Sequence, residues 1–304
     1  MGKNSIKTYS TETFRHKFMK PEQELDTILK SDYGKFFIVR VEEMIQLIKL
    51  PVPPTRATTH SLIYLTEGEA IMTIGSETFT MYKDECLFVP AGQIFSFSNA
   101  DVNKGYLCNF HNDFFVGKFG KKDLLKDFEF LTVWGNCHVA LDSRTSYYVG
   151  HLLQRILEDY AANGLKHTNI IQPYFIAALC EIARVYQPLS SNKKDQSVKI
   201  ANKFKELLFS KIKTIHLVNE YASLLNITPN HLNKVVKRIT GKSPAKWINE
   251  ILVMEAKVLL YQTDIPIREV AAEIGIFDQS YFSRLFKKYE GVTPLQFRKM
   301  IEIS

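Results

Sequence analysis

Apolar residues recur at helical spacing near the C-terminal end of the chain. Between Ile267 and Ile274 they fall at every third or fourth position, which predicts a short helix with one buried face. Gly275 predicts the end of this helix, because glycine adopts a positive φ without steric cost. A second helix is predicted to begin near Asp278, an acidic residue suited to an N-cap or a first turn. Two helices joined by a tight turn form a helix-turn-helix pattern.

The second predicted helix has an apolar face and a polar face. Its apolar positions are Phe282, Leu285, Phe286 and Tyr289. Its polar positions carry hydrogen-bond donors and no acidic residue: Gln279, Ser280, Ser283, Arg284 and Lys287. Such a face fits the major groove of DNA, which is about 12 Å wide. A surface helix that is merely solvated would show the same two faces, so one copy of the pattern leaves both interpretations open.

The pattern occurs a second time, upstream of the first. Residues 217–247 align with residues 266–297 when the second turn is allowed one extra residue. The alignment pairs apolar with apolar positions and places a lysine opposite the arginine of the polar face. Two copies of one polar-faced pattern are improbable by chance. The repeat therefore favours two helix-turn-helix units, at about 217–240 and 266–289.

The turn residues of the upstream copy are chemically consistent with this alignment. Asn226 aligns with Gly275, and asparagine tolerates a positive φ better than most other non-glycine residues. Thr228 before Pro229 is typical of an N-cap followed by proline at the first helical position. The upstream recognition helix is therefore predicted to begin at Pro229.

A further helix is predicted over residues 244–263, between the two units. Its apolar residues at helical spacing are Trp247, Ile251, Val258 and Leu259. Twenty residues at 1.5 Å each give a length of about 30 Å. Successive major grooves on one face of DNA are about 34 Å apart. One chain is therefore expected to place a recognition helix in each of two consecutive grooves, and to read an asymmetric site because the two helices differ.

The C-terminal hundred residues resemble the AraC/XylS family of bacterial transcription regulators. The residues that carry the resemblance are Ala271, Gly275, Ile276, Ser280, Tyr281, Phe282, Ser283, Arg284, Phe286, Lys287, Gly291, Thr293, Pro294, Phe297 and Arg298. The chain departs from the family at Leu252, where the family often has arginine. The resemblance implies a DNA-binding regulator, more often an activator, with a cupin-like sensor domain. It also implies a homodimer and is compatible with contact between the regulator and RNA polymerase.

Specific contact residues can be assigned from the polar faces. In the first unit we predict base contacts by Asn230, Asn233 and Lys234, and in the second by Gln279, Ser280, Ser283 and Arg284. Lysine and arginine donate to guanine O6 and N7, whereas asparagine and glutamine suit adenine. Lys237, Lys287 and Lys288 lie one turn further on and are predicted to contact phosphates.

Short strands are predicted in the first half of the chain, from Phe36 to Asn112. Apolar or alternating runs separated by glycines and prolines predict an antiparallel β-barrel or jelly roll. Residues 90–99 resemble the second cupin motif, with Phe95 in the position of a metal-binding histidine. A barrel of this size holds one small ligand. The residues predicted to line it, as an alternative to plain core packing, are His60, Tyr64, Phe95, Phe97 and Tyr106.

Helical periodicity follows, over about 143–162 and 170–186, and the resemblance implies that dimerisation occurs there. A polar, proline-containing stretch then predicts an interdomain linker. The expected fold class is therefore α+β in two domains. A cupin-like antiparallel β-barrel with following helices occupies 1–187, a linker 188–197, and an all-α domain with two helix-turn-helix motifs and a linker helix 198–304.

The basic excess of the chain lies in its C-terminal part. The formal net charge is +7 at pH 7. Residues 1–196 contain 22 Lys or Arg and 22 Asp or Glu, whereas residues 197–304 contain 17 and 10. A basic region that coincides with the repeat is where a polyanion is expected to bind. The charge therefore favours double-stranded promoter DNA as the partner.

Other classes of function receive less support from the sequence. An enzyme of the cupin type would need metal ligands or an acid–base pair, and a histidine-rich metal motif is missing, so neither a metal, a cofactor nor a catalytic residue is expected. Four scattered cysteines, Cys86, Cys108, Cys137 and Cys180, predict reduced thiols, with a redox sensor as the alternative. No signal peptide or apolar run of membrane-spanning length is evident, so a soluble cytoplasmic protein is expected. Besides the DNA-binding regulator and the cupin-type enzyme, a third possible function is a helix-turn-helix protein that binds only protein.

Overall fold

A computed structural model describes residues 8–21, 25, 28–98, 102–115, 128–131, 136–187 and 196–303. The chain separates into two compact units between Pro188 and Leu189. The predicted linker, 188–197, lies outside the described residues as far as 195. Its last two positions, Gln196 and Ser197, already belong to a helix. The α+β fold class in two domains is confirmed.

The N-terminal unit is built on an antiparallel sheet that curls into a half-barrel. Its described strands are β1 (Thr8–Tyr9), β2 (Phe36–Arg40), β3 (Val52–Ala57), β4 (His60–Ile74), β5 (Glu77–Tyr82), β6 (Glu85–Val89), β7 (Ile94–Phe97), β8 (Asn103–Phe110) and β9 (His138–Ala140). The 15-residue strand β4 organises the sheet. Its first half pairs with β6 and β8, and its second half pairs with β5 and β7. Among all pairings of the described strands, only that of β1 with β3 is parallel.

Four of the described helices pack against this sheet. They are α1 (Thr11–Phe18), α2 (Val41–Leu47), α3 (Ser143–Asn163) and α4 (Thr168–Val185), and short 3-10 turns occur at Asn112–Phe115 and Glu129–Leu131. The predicted helices at 143–162 and 170–186 correspond to α3 and α4, which pack against each other. Phe36 of β2 stacks on Phe114 at 4.5 Å and meets Phe175 of α4 edge-on at 5.2 Å. This aromatic cluster fixes α4 to the outer face of the sheet.

The C-terminal unit is all helical within the described residues. Its helices are α5 (Gln196–Lys211), α6 (Val218–Leu224), α7 (Pro229–Thr240), α8 (Pro244–Gln262), α9 (Ile267–Glu273), α10 (Gln279–Glu290) and α11 (Pro294–Ile303). The pairs α6–α7 and α9–α10 are the two predicted helix-turn-helix units. Helix α8 is the predicted linker helix, and it packs against α7, α9, α10 and α11. Helices α5 and α11 flank the two units and complete their cores.

Candidate nucleic-acid interface

The two helix-turn-helix units share one turn geometry. Asn226 and Gly275 both have positive φ, at 53° and 85°. In the first unit the Ile227 N–H donates to the Ala222 carbonyl at 3.0 Å, and in the second the Ile276 N–H donates to Ala271 at 2.8 Å. Both bonds close a Schellman motif at the end of the first helix. The predicted equivalence of the asparagine and the glycine is confirmed.

The recognition helices α7 and α10 begin with side-chain caps. The Thr228 hydroxyl accepts the His231 N–H at 3.2 Å, and Pro229 occupies the first helical turn. The Asp278 carboxylate accepts the N–H groups of Ser280 at 2.8 Å and Tyr281 at 3.0 Å. The connection is one residue longer in the second unit, as the alignment predicts. These caps fix where each recognition helix starts and therefore which side chains its first turn presents.

Burial is the same along both recognition helices. Each of the 12 positions of α7 is as buried, half-buried or exposed as the position fifty residues later in α10. The buried positions are Leu232, Val235 and Val236 in α7, and Phe282, Leu285 and Phe286 in α10. Both helices end at a left-handed glycine, Gly241 with φ 73° and Gly291 with φ 76°. The repeat is thus structural as well as sequential.

Eight of the ten predicted DNA-contacting residues are exposed: Asn230, Lys234, Lys237, Gln279, Ser280, Arg284, Lys287 and Lys288. Asn233 and Ser283 are half-buried. The Asn233 amide donates to the Pro229 carbonyl of its own helix at 3.1 Å, which leaves its oxygen for another donor. Within the described part of the chain, the five basic side chains of this set form no ion pair with a carboxylate. Their charge is therefore available to an external anion.

Sequence reasoning missed three exposed residues next to this set. Tyr281 is 45% exposed in the first turn of α10, and His231 holds the equivalent position in α7. Phe277, which precedes the Asp278 cap, is 87% exposed. The alignment of the two units contained the signal for the first pair, since His231 and Tyr281 occupy the same position of the repeat. Phe277 stands in the longer second turn, where the first unit has no counterpart.

Helix α8 holds both recognition helices through buried and half-buried contacts. Lys257 of α8 forms an ion pair with Glu290 at the end of α10, with 2.7 Å between Nζ and Oε2. On the other side, the Trp247 indole N–H donates to the Thr240 hydroxyl of α7 at 2.8 Å. Leu252, where the resembling family often has arginine, is 2% exposed and packs into the core. The polar contact expected of an arginine there is replaced by apolar packing.

The length of α8 matches the scale of DNA. Its 19 residues span about 28 Å at 1.5 Å per residue. Three residues separate α8 from the end of α7, and four residues separate it from the start of α9. Ser243 caps it by accepting the Lys246 N–H at 3.3 Å. The two helix-turn-helix units are therefore separated along the chain by one rigid element.

A cavity of about 150 Å³ lies in the N-terminal unit, inside the half-barrel. Phe95 and Phe97 line it, as predicted. The prediction is corrected for His60, Tyr64 and Tyr106, whose side chains point to the opposite face of the sheet. Successive side chains of a strand face opposite sides, and on β8 and the first half of β4 the cavity is lined by the alternate residues.

The three misassigned side chains have specific partners outside the cavity. The Ala91 N–H donates to His60 Nδ1 at 3.1 Å, so the neutral ring donates through Nε2 to Asn112 Oδ1 at 3.0 Å. Burial lowers the pKa of His60 to about 4. The Tyr64 hydroxyl lies 2.8 Å from the Ser146 hydroxyl of α3, and burial raises the pKa of Tyr64 to about 12. The Tyr106 hydroxyl donates to Gln154 of α3 at 2.8 Å. Tyr64 and Tyr106 thereby attach the sheet to α3, whereas His60 ties β4 to the loops at Ala91 and Asn112.

The histidine, cysteine and acidic side chains are scattered over the described residues. Among the described residues, no group of three or more His, Cys, Asp or Glu is placed to hold a metal ion. All four cysteines are free thiols; Cys180 is exposed, and Cys86, Cys108 and Cys137 are buried. Burial raises the pKa of the Cys137 thiol to about 12. The described helices include none that is both long and apolar enough to cross a membrane.

Comparison with known proteins places similarity mainly in the C-terminal unit. Residues 221–300 match the family model described as a helix-turn-helix domain. The chain is 30% identical over 84 residues to the uncharacterized transcriptional regulator YisR of Bacillus subtilis, covering 28% of this chain and 29% of that protein. It is 38% identical over 72 residues to the arabinose operon regulatory protein of Escherichia coli, covering 24% and 25%.

A third relative is similar over more of the chain. The Msm operon regulatory protein of Streptococcus mutans is 24% identical over 256 residues, covering 82% of this chain and 87% of that protein. The chain thus spans less than a third of the length of YisR and of the arabinose regulator, but most of the length of the Msm regulator.

Proposed function

We propose that this chain reads a specific asymmetric DNA site. The premise is that residues 221–300 are the helix-turn-helix domain of an AraC-family DNA-binding transcription regulator. Helices α7 and α10 enter two consecutive major grooves on one face of the duplex. The observation that carries the proposal is the duplication: two helices of identical burial pattern, each with an exposed basic and amide-bearing face, are attached to one helix of about 28 Å.

The length of that helix suits the separation of the grooves. Successive major grooves on one face are about 34 Å apart. Each recognition helix also contributes its own radius and tilt to the separation, so an element slightly shorter than the groove spacing is suitable. Because α7 and α10 differ in sequence, the two halves of the site differ as well.

Individual side chains are proposed for base and phosphate contacts. Lys234 and Arg284 occupy equivalent positions and donate to guanine O6 and N7. Asn230, Asn233, Gln279, Ser280 and Ser283 supply the remaining base contacts. Lys237, Lys287 and Lys288 bind phosphates, which adds affinity that depends on salt and not on sequence.

The N-terminal unit is proposed to sense a small molecule and to pair two chains. The half-barrel cavity is the effector site, and the exposed faces of α3 and α4 form the homodimer interface, so that a dimer reads two copies of the site. We propose an activator that contacts RNA polymerase in the cytoplasm, without a catalytic role. Relatives named for the Msm and arabinose operons support the regulation of an operon.

Two other functions receive less support. A cupin-like enzyme requires metal ligands or an acid–base pair at the interior of the half-barrel, where the described lining is apolar with a few hydroxyl and amide groups. Binding to protein alone would not require the exposed cations Lys234 and Arg284 at equivalent positions of the two recognition helices.

The proposal is tested by sequencing the genomic DNA that the purified chain retains, followed by mobility-shift assays at several salt concentrations. We expect one asymmetric site with two conserved blocks centred about 10–10.5 base pairs apart. The logarithm of the association constant should fall linearly with the logarithm of salt concentration. Retained DNA without a common sequence would contradict the proposal, and stoichiometric metal in the purified protein would favour the enzyme.

A further inference from the structure

The cavity of the N-terminal unit contains polar atoms that lack partners. Thr11, Asn103 and Asn109 line it, and the Thr11 hydroxyl oxygen and both asparagine Oδ1 atoms are buried without a hydrogen-bond partner in the described part of the chain. An unpartnered buried polar atom costs stability, so such atoms are rare unless a ligand or a water satisfies them. Three around one cavity point to an occupant.

The two asparagines present acceptors, because each amide nitrogen already donates a hydrogen bond whereas each Oδ1 has no partner in the described part of the chain. The Asn109 amide donates to the Ser61 hydroxyl at 3.1 Å. The Asn103 amide donates to the Glu69 carbonyl at 2.9 Å. The Glu69 carbonyl can only accept, which fixes the Asn103 amide with its oxygen left over. At Asn109 the amide nitrogen donates to a hydroxyl, and its Oδ1 is the atom without a partner. An occupant that satisfies these oxygens must therefore supply O–H or N–H donors.

Apart from the hydroxyls of Thr59 and Ser61, the rest of the lining is apolar, and none of it is charged. Most lining side chains are aliphatic or aromatic, including Phe14, Met44, Ile63 and Leu107. Among the lining residues that the structure describes, none has an ionisable side chain. A carboxylate or an ammonium group would lose its hydration without gaining a counter-charge, which strongly disfavours its entry. A sugar has a hydroxyl on nearly every carbon and would leave most of them facing apolar surface.

The size of the cavity limits the occupant further. Its volume of about 150 Å³ equals that of an engineered protein cavity that binds benzene. A molecule of about six to ten non-hydrogen atoms is therefore the appropriate scale.

We propose that the effector of this chain is an uncharged, largely apolar molecule of about that size, with a hydroxyl or N–H group that donates to Asn109. The proposal rests on the sensor role proposed above and names its ligand class. A ligand of this class would distinguish this chain from the arabinose operon regulatory protein, to which the chain is similar over 72 residues only.

Titration calorimetry on the full chain tests this with four probes of similar size. Benzyl alcohol combines an apolar ring with one donor, toluene lacks the donor, benzoate is charged, and erythritol is a polyol. We expect benzyl alcohol to bind, toluene to bind about tenfold more weakly for loss of one hydrogen bond, and neither benzoate nor erythritol to bind. Binding of benzoate or erythritol as tightly as benzyl alcohol would overturn the proposal, as would binding of none of the four.

Substitution at Asn109 locates the site. Asn109→Leu removes the acceptor, so benzyl alcohol should bind about tenfold more weakly while toluene is unaffected. Thr11→Val removes another unpartnered oxygen with little change in volume and serves as the milder variant should Asn109→Leu not fold, which circular dichroism reports. Equal binding of benzyl alcohol by wild type and a folded Asn109→Leu variant would overturn the assignment.

A mobility-shift assay on the same preparations distinguishes the two proposals. Intact DNA binding with failed probe binding would overturn the ligand class and leave the regulator standing. Specific probe binding without DNA binding would overturn the regulator and leave the ligand class standing.

Discussion

Asn226 and Gly275 occupy the same position in two copies of one turn, and both adopt a positive φ, at 53° and 85°. In each copy the following residue donates its N–H to the carbonyl five residues earlier. Asparagine and glycine are the residues that reach this conformation with little strain. The chain therefore ends the first helix of each unit in the same way, although the connection to the recognition helix is one residue longer in the second unit.

Substitution of Gly275 by alanine should be more costly than the same change at Gly291. Both have positive φ, which costs an alanine about 1 kcal/mol or more. A Cβ at Gly275 would lie 2.2 Å from the Lys213 carbonyl oxygen, whereas at Gly291 it would meet nothing within 4 Å. We expect Gly275→Ala to lower the free energy of unfolding by about 3 kcal/mol and Gly291→Ala by about 1 kcal/mol. Urea denaturation measures both, and equal losses would show that the segment at Lys213 is not packed as described.

Removal of the N-caps should weaken each unit by a similar amount. Thr228→Ala and Asp278→Ala each leave first-turn N–H groups unsatisfied, and we expect a loss of about 1 kcal/mol in the free energy of unfolding. Thr228→Ser and Asp278→Asn keep a capping oxygen and serve as controls with smaller losses. Thermal denaturation measures the series, and a conservative variant as unstable as its alanine counterpart would argue against capping.

Stability should fall at mildly acid pH because of His60. Its pKa is about 4 in the folded chain and 6.5 as its ordinary value, so the unfolded chain binds more protons between these values. The contribution of the neutral, buried His60 ring to the free energy of unfolding is complete above pH 6.5 and is lost as the pH falls towards 4. We expect His60 to account for a loss of roughly 3 kcal/mol, since each pKa unit corresponds to about 1.4 kcal/mol.

The control for this prediction is His60→Gln, which can accept from Ala91 and donate to Asn112 without titrating. Urea denaturation at pH 7 and at pH 4.5 compares the two proteins. The variant should lose less stability than the wild type between these values. An equal loss in both would show that another group dominates the acid sensitivity.

Lys287 should contribute affinity without sequence preference. Lys287→Ala is expected to weaken binding to all DNA sequences alike, and to reduce the slope of log affinity against log salt by about 0.9. Lys104→Ala, an exposed lysine of the N-terminal unit paired with Glu67, is the matched control and should leave the slope unchanged. Mobility-shift assays over a salt series provide the slopes. A change in sequence preference with Lys287→Ala would instead indicate a base contact.

The C-terminal unit was predictable from sequence because its signals are local. The cap at Thr228, the turn residues Asn226 and Gly275 and the apolar face of Phe282 and Phe286 each act within one or two helical turns. Repetition confirmed each signal a second time. The bounds of α8 were predicted to within one residue for the same reason, since proline and serine fix its start.

The cavity residues were not predictable to the same degree. Alternation along β4 shows that His60 and Tyr64 share one face and Ser61 and Ile63 the other, but not which face meets the cavity. Both faces are buried, because α3 covers one and the half-barrel interior encloses the other. Aromatic residues favour a binding site by composition, yet Tyr64 holds α3 instead. Only the tertiary packing of α3 on the sheet decides the question.

The most direct test of the central claim is selection of DNA from a random pool by the wild type, Lys234→Ala and Arg284→Ala. Each loss of a donor should relax the preference at one base position by about 1–3 kcal/mol. We predict that the two variants relax different blocks, centred about 10–10.5 base pairs apart, because α7 and α10 lie in consecutive grooves. Unchanged preferences in either variant, or relaxation of the same block by both, would contradict the account.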